Sequence, residues 1–464
     1  MYEKNIGIII CNYNKKDYVL KCIESVLDQS FKNMDIYVVD NASEDGSAEA
    51  IQSQYKDRVS LIVNKENLGG SGGFNTGMRK ALEKNYEYLV LLDNDVYLNK
   101  DSIEILYNTM CENNDIGIQG CKILKMDNPD IIQEFTSMVD YKNMVVNLGY
   151  SGEKDNLELP KLKDCDVVPA CALIVRTDII KKIGFMPEDN FVSWDDIEWG
   201  LLCWRAGYRV VANSEAKAWH KGGSTVAKNT FNVYYGYRNK IEFFMKYMNT
   251  LKTTETDLQE RVKERVDNIL KDVFKAVYAC YYGKKYNRAK TIMDAFFDAL
   301  INKKGKAENY QIRDLEQVED RVQKLLEGHK SIILQMNNHI EESRKILVRL
   351  QQYQKLLNIE FSIIVYNQNK LEIDELCEHK IKFVLPSGDI SKSLVLEVCE
   401  HVFDIKEEKY RNNIWIDGWC NLILNEKDYQ VCSCFKESYK LFKICYEDRL
   451  EKIIEANLNK SEII

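Results

Sequence analysis

Across the first 220 residues, short continuous apolar runs alternate with stretches whose apolar residues recur every three to four positions. Ile6 to Cys11 is a branched apolar run that stops at Asn12-Tyr13-Asn14, and Val19, Leu20, Ile23, Val26 and Leu27 follow at helical spacing. Ile36 to Val39 is a second run, closed by Asp40-Asn41-Ala42-Ser43. A helix is predicted over 47–54, a strand over 59–64, and a strand from Tyr88 to Leu92 that stops at Asp93-Asn94-Asp95. Runs this short and this apolar read as strands buried on both faces. Joined through helices by short links, they predict a mostly parallel central sheet with helices on both faces. Further strands are expected over 167–176 and 210–212. The segment 116–164, with Pro129 and Pro160, reads as irregular, a loop-rich or β-hairpin insertion.

From Phe231 onward the spacing turns helical, with helices expected over 241–247, 258–282 and 288–300. Tyr278, Tyr281, Tyr282, Phe296 and Phe297 give them an aromatic stripe that reads as core packing, or as a platform for an acceptor or an oligomer contact. The charged stretch 305–328 reads as a helical linker. Beyond it, strands are expected over 331–336, 360–366 and 381–385, helices over 340–357, 371–379 and 391–400, and short strands over 402–404 and 413–417. This is the pattern of a smaller Rossmann-like α/β domain with an accessory role. Asp417-Gly418-Trp419 reads as a tight turn with a packed Trp, with a local site as the alternative. The expected division is a large α/β domain over 1–240, a helical region and linker over 241–329, and the small domain over 330–464.

The net charge of −8 argues against a nucleic-acid partner held by bulk charge. None of the 14 cysteines stands in paired C-x-x-C groups or at zinc-finger spacing, so most read as small buried hydrophobes. The N-terminus lacks a signal peptide's layout and no window is apolar for long enough to cross a bilayer. The expectation is a cytoplasmic protein, with peripheral contact at the inner face of the cell membrane and a homo-oligomer left open.

Three stretches carry candidate chemistry. Asp93 and Asp95, at i and i+2 on an extended backbone, point the same way and offer hard oxygens to one Mg²⁺ or Mn²⁺. Five glycines between Gly69 and Gly77 precede a helix expected at 78–83, and exposed amides there would suit a diphosphate. That loop matches neither the Walker pattern nor the third position of the dinucleotide fingerprint, where Asn75 stands. Trp194-Asp195-Asp196-Ile197-Glu198-Trp199 sets three carboxylates between two indoles, whose faces suit sugars. His220, one of five histidines, borders a second glycine-containing loop.

In their order, these residues resemble the inverting glycosyltransferases of family 2, with the GT-A fold, over roughly residues 5–250. The resemblance rests on Asn12-Tyr13-Asn14, Val39-Asp40-Asn41-Ala42-Ser43, the glycine-rich Asn67–Asn75 stretch, Asp93-Asn94-Asp95, Trp194-Asp195-Asp196, Trp219-His220 and Tyr234-Tyr235-Gly236-Tyr237-Arg238-Asn239. Within the family, the motifs look most like the galactofuranosyltransferase branch, with rhamnosyltransferases close by. The resemblance implies that Asp93, Asp95 and His220 hold Mn²⁺ or Mg²⁺ and that Asp196 is the general base. It places Asn12, Asp40, Asn67, Gly69, Gly70, Gly73, Asn75, Asn94, Trp194, Asp195 and Arg238 at the nucleotide-sugar donor, Asp40 at the uracil or ribose. The acceptor would be a glycan or a lipid-linked glycan of a surface polysaccharide. Two departures stand out: Leu202 replaces an arginine common in the family, and no arginine interrupts the glycine-rich stretch. Arg79 and Arg238 are the substitutes considered. A sugar nucleotidyltransferase would need a glycine-rich loop with Arg and Lys at the N-terminus, which Gly7–Tyr13 lacks, and a non-catalytic nucleotide-sugar scaffold would need no base.

Overall fold

The computed structural model describes residues 5–222, 228–248, 255–318, 320–327, 329–337, 339–357, 362–366, 382–383, 393–406 and 413–461. The helix expected over 371–379 lies outside them. The chain divides into two compact units, one of residues 1–269, 291–314 and 449–464, the other of 270–290 and 315–448. Residues of the stretch 241–329 are therefore distributed over both.

The first unit is built on a ten-stranded sheet. Its strands are β1 (Ile6–Asn12), β2 (Met34–Asp40), β3 (Ser60–Val63), β4 (Tyr88–Asp93), β5 (Val96–Leu98), β6 (Ile116–Lys125), β7 (Asn128–Glu134), β10 (Leu162–Asp164), β11 (Ala172–Arg176) and β12 (Arg209–His220). A separate hairpin pairs β8 (Thr136–Asp140) with β9 (Val145–Gly149). The order is β10-β12-β6-β11-β4-β1-β2-β3. Strands β4, β1, β2 and β3 run parallel, as do β6 and β12, while β11 lies antiparallel between β4 and β6. The expected parallel sheet with helices on both faces is thus present, with an antiparallel insertion at β11.

The period-two alternation of β1 explains its burial on both sides. Ile6, Ile8 and Ile10 pack with Val19, Cys22, Ile23 and Val26 of α1 (Lys16–Leu27). Ile9 faces the other way, onto Phe74, Met78 and Ala81 of α3 (Gly69–Ala81). Around these lie α2 (Ser47–Tyr55), α4 (Ser102–Glu112), α5 (Thr177–Ile183), α6 (Asp195–Arg205) and α7 (Phe231–Lys246). They are followed by α8 (Glu255–Tyr282) and α9 (Tyr286–Leu300).

Two expectations in this unit are corrected. The segment 116–164 opens with β6, a ten-residue interior strand buried along almost its whole length, before its hairpins begin. The alternation was hidden because Gly117, Gln119 and Gly120 interrupt the apolar run. The glycine-rich stretch is not a loop, since Gly69 to Gly77 lie inside α3. A Cβ at Gly73 would stand 2.3 Å from Cys11 Sγ, and one at Gly77 2.4 Å from Ile9 Cγ2. These glycines let a helix lie closely on β1, which outweighs their poor helix propensity.

The second unit has a six-stranded sheet ordered β15-β14-β13-β16-β17-β18. These strands are β13 (Ser331–Gln335), β14 (Ser362–Tyr366), β15 (Lys382–Phe383), β16 (Leu394–Val398), β17 (Ile414–Ile416) and β18 (Leu422–Ile423). All but β18 run parallel. Helices α10 (Arg321–Leu326), α11 (Ile340–Leu357) and α12 (Glu426–Ser433) are followed by α13 (Phe435–Ser461). The helix expected over 391–400 is the strand β16, because a short apolar run fits either period and pairing with β13 decides. Residues 402–404 form a 3₁₀ turn rather than a strand, and the described residues of 305–328 are mostly irregular, with helix among them at Asn309–Gln311 and in α10. Tyr278 and Tyr282 pack with Phe403 and Phe435 in this unit's core, whereas Phe296 is buried in the first unit.

Candidate active site

The site is assembled at the C-terminal ends of β1, β2 and β4, where open α/β sheets bind ligands. Strand β4 delivers Asp93, and the chain turns at once into β5. Because β5 pairs with β12 in a register that sets His220 opposite Val96, the imidazole arrives beside Asp95. His220 Nε2 stands 3.4 Å from Asp95 Oδ1 and 3.9 Å from Asp93 Oδ2. One ligand atom from each of Asp93, Asp95 and His220 lies within 4.8 Å of the others. Two carboxylates and an imidazole are hard and borderline donors that suit Mn²⁺ or Mg²⁺. The three residues expected to hold a metal therefore converge, and their donor set fits one.

The electrostatics agree. Burial raises Asp93 to about 6, with His220 opposing and the charges of Asp95 and Asp196 adding to the rise. Burial pushes Asp95 upward too, but hydrogen bonds from His220 and Lys15 overcome it and hold the carboxyl at about 2. Burial lowers the His220 imidazole, and the bond to Asp95 with the charge of Asp93 outweighs it, so its pKa is raised.

Asp196 reaches the same place from the first turn of α6. Its Oδ2 accepts from the Ala170 amide at 3.4 Å, and the Asp93 amide donates to Cys171 O at 3.0 Å. The two acids are thus hung from adjacent residues at the entrance to β11. Burial raises both Asp195 and Asp196, and Asp195 is raised further by the charges of Asp196 and Asp93. A carboxylate with a raised pKa is the better proton acceptor near neutrality.

The loop that feeds α6 is strained. Phe191, Ser193 and Trp194 all have positive φ, at 64°, 65° and 69°, a conformation that non-glycine residues hold only when their surroundings compel it. Those surroundings come from α7. Arg238 Nη2 donates to Asp189 O at 3.2 Å and Asn190 O at 2.9 Å. Asn239 Nδ2 lies 2.8–2.9 Å from the carbonyls of Asn190, Val192 and Ser193. Arg238 is fully buried and spent on backbone carbonyls, Gly305 O included, so its structural work differs from the diphosphate contact expected of it. Arg79 is paired with Glu188.

The remaining expected residues fall into two groups. Asn94 donates to Asn12, and Asn12 to Asp40, whose other oxygen accepts from the Ser43 amide; this buried chain braces the ends of β1, β2 and β4. Asn67 holds the start of α3, its Oδ1 accepting from Gly69 N, while Gly70 N donates to Phe191 O. Those amides are therefore engaged by protein acceptors instead of standing exposed. Asn75 is fully buried, with Nδ2 on Met186 O and Glu188 and Oδ1 on Met186 N. Trp194 packs on Phe243 and Phe244, and Trp199 is a core residue whose Nε1 donates to Gly184 O. Glu198, the third carboxylate of the cluster, is ion-paired to Lys246 and accepts from Tyr247.

Three residues beside the site escaped the sequence reading. Lys15 Nζ lies 2.6 Å from Asp95 Oδ2. Gln133 Nε2 meets His220 Nδ1 at 2.9 Å. Glu134, raised by burial, senses the charges of Asp196 and His220. Lys15 adjoins the Asn12–Asn14 motif and could have been found there. Gln133 and Glu134 sit on β7, in the segment read as irregular, and carried no signal.

An open α/β sheet with an acidic pair at its carboxyl edge is the GT-A architecture. Residues 7–183 match the family model described as Glycosyl transferase family 2. The chain is 32% identical over 114 residues to Glycosyltransferase GlyA of Streptococcus pneumoniae serotype 4, covering 24% of this chain and 16% of that protein. It is 28% identical over 203 residues to Galactofuranosyltransferase GlfT2 of Mycolicibacterium smegmatis, covering 40% of this chain and 31% of that protein. The chain thus spans under a third of either relative's length. The crystal structure of GalNAc-T7 with UDP, GalNAc and Mn²⁺ superposes with a TM-score of 0.44 at 12% identity, over 56% of this chain and 51% of that one.

Proposed function

We propose that the first unit is a metal-dependent, inverting glycosyltransferase that moves a sugar from a nucleotide-diphosphate donor to a glycan or lipid-linked acceptor in surface polysaccharide synthesis. The observation that carries this is the convergence of Asp93, Asp95 and His220 with Asp196 at one sheet edge. Asp93, Asp95 and His220 would hold Mn²⁺ or Mg²⁺, which when bound neutralises charge developing on the departing nucleoside diphosphate. Lys15 adds a second positive charge at the same place. Asp196 takes the proton from the acceptor hydroxyl, whose oxygen attacks the anomeric carbon opposite the leaving group and inverts it. The likeness to a galactofuranosyltransferase favours a UDP-galactofuranose donor, with dTDP-rhamnose next. The second unit takes an accessory role.

The test is release of nucleoside diphosphate from a panel of UDP-, GDP- and dTDP-sugars with Mn²⁺, with and without chelator. Chelator-sensitive release from one donor class, stimulated by a saccharide acceptor, is the expected result. Binding of donor with no release under any acceptor would support a scaffold instead. Among the described residues no helix is long and apolar enough to cross a membrane.

A further inference from the structure

The turn Asp417-Gly418-Trp419 does not bury its indole. Trp419 is 60% exposed, yet the turn that presents it is tied to a buried carboxylate. The buried Asp417 carboxylate accepts from the Trp419 amide at 3.0 Å, the Asn421 amide at 3.0 Å, Asn421 Nδ2 at 3.1 Å and the Val402 amide at 3.3 Å. An indole presented in this way offers an apolar face on which a sugar ring can stack.

Beside the indole lies a cavity of about 360 Å³ within the second unit, walled by α11, the turn after β17, the end of α8 and the start of α10. Four cations line it, Lys285, Arg321, Lys345 and Arg349, against one carboxylate, Asp320. In a chain of net charge −8 this is a local reversal of sign. Asp320 is already committed: it caps α10 through the Val322 and Gln323 amides and accepts from Tyr353 and Arg349. Arg321 pairs with Asp428 at 2.6 Å and lies over the Tyr282 ring. Lys285 and Lys345 are exposed and have no ion-pair partner among the described residues. Two free ammonium groups, two oriented guanidinium groups and an indole face converge on a space large enough for a small ligand.

We propose that this cavity binds an anionic saccharide, its phosphate or carboxylate held by Lys285 and Lys345 and a sugar face packed on Trp419. The anion follows from the charges alone, whereas the choice of a saccharide rests on the glycosyltransferase reading of the first unit. The site would hold part of the acceptor chain, or a charged sugar that signals its presence.

The test uses the full chain without donor or metal. Glucose 6-phosphate, glucuronate, glucose and inorganic phosphate are titrated, with tryptophan fluorescence and calorimetry as readouts. At least one charged sugar should bind tenfold or more tighter than both glucose and inorganic phosphate, and whichever is preferred identifies the anion. Lys285→Ala with Lys345→Ala should weaken that binding at least tenfold. Trp419→Ala should reduce it to the level of inorganic phosphate, and Asp93→Asn should leave it unchanged. All three altered cavity residues are exposed, so circular dichroism should show intact folding. No binding by either charged sugar, equal binding of sugar phosphate and inorganic phosphate, or loss in Asp93→Asn with no effect of the lysine variant would each overturn the proposal. Nucleoside diphosphate release by the first unit, measured in parallel, fails or succeeds independently of this result.

Discussion

Asp196 is held by two backbone amides, those of Ala170 and Ile197, and its remaining capacity is what a base needs. The two amides meet different carboxylate oxygens, so Asp196→Asn keeps an acceptor for one of them while removing the proton acceptor. Transfer is expected to fall by at least about 100-fold, the usual scale of general-base catalysis, while calorimetric affinity for the nucleotide stays unchanged. Wild-type turnover in that variant would displace the base from position 196. Gln133 works at one remove, through His220. For Nε2 to bind a cation by its lone pair, Nδ1 must carry the proton and donate it to an acceptor, and the Gln133 side chain can turn its amide oxygen to that atom. Gln133→Leu should therefore weaken Mn²⁺ binding by about 10–100-fold, read by calorimetry on the donor-free protein, and Gln133→Glu should restore most of it. Equal Mn²⁺ affinity in the Leu variant would mean that the imidazole is oriented by something else.

Helix α3 shows how packing can reverse a local preference. Alanine at Gly77 gains about 1 kcal/mol of helix propensity but drives a Cβ to 2.4 Å from Ile9 Cγ2, and overpacking of this kind costs about 1–3 kcal/mol. The clash is with a β-branched side chain in a central strand that cannot step aside, so Gly77→Ala should lower the melting temperature of the first unit. Gly70, with nothing within 4 Å of its missing Cβ, is the control, and Gly70→Ala should be neutral or stabilising. The loop before α6 makes a different demand on α7. Asn239→Ala would leave the carbonyls of Val192 and Ser193 without a side-chain donor, while Asn190 O keeps that of Arg238, a loss of about 1–3 kcal/mol. The three left-handed residues would then relax. The expected signature is a large fall in kcat with Mn²⁺ affinity retained, because Asp196 moves while the triad held by β4, the turn into β5 and β12 does not. A proportional loss of both would show that the loop and the metal triad are one cooperative piece.

At the level of the whole molecule, the two units have separate cores and separate sensitivities. His401 lies in the second unit, 1% exposed among Phe403, Trp419 and Phe435, with Nδ1 accepting from the Phe403 amide. Burial, with the charge of Lys275, lowers its pKa to about 3. The unfolded chain, with an ordinary value of about 6.5, binds a proton that the folded unit refuses. The stability due to this residue is therefore complete above about pH 6.5 and declines as pH falls toward 3. The loss is about 2 kcal/mol between pH 7 and pH 5 at 1.36 kcal/mol per unit. Denaturant titrations of the second unit's transition should show this slope, and His401→Asn, which keeps an acceptor for the Phe403 amide, should flatten it.

Sequence alone determined the elements whose signal is local. The runs at Ile6, Ile36 and Tyr88 are strands because burial on both faces needs uninterrupted apolar residues, and the acids that close them mark the sheet edge wherever the strands pair. Asp93 and Asp95 could be named from the residues themselves, and His220 and Asp196 through the family resemblance, before any fold was seen. Tertiary structure decided whatever depended on a distant neighbour. The Gly69–Gly77 stretch became a helix because β1 lies against it, and residues 394–398 became a strand because β13 offered a free edge. Arg238 is drawn to the carbonyls of Asp189, Asn190 and Gly305, and Asn75 to Met186 and Glu188. Gln133 reached His220 only because β7 folds back on β6, and Trp419 stayed in solvent because Asp417 locks its turn from beneath. Periodicity records how one segment meets its surroundings; which segment supplies those surroundings is settled only when the chain closes on itself.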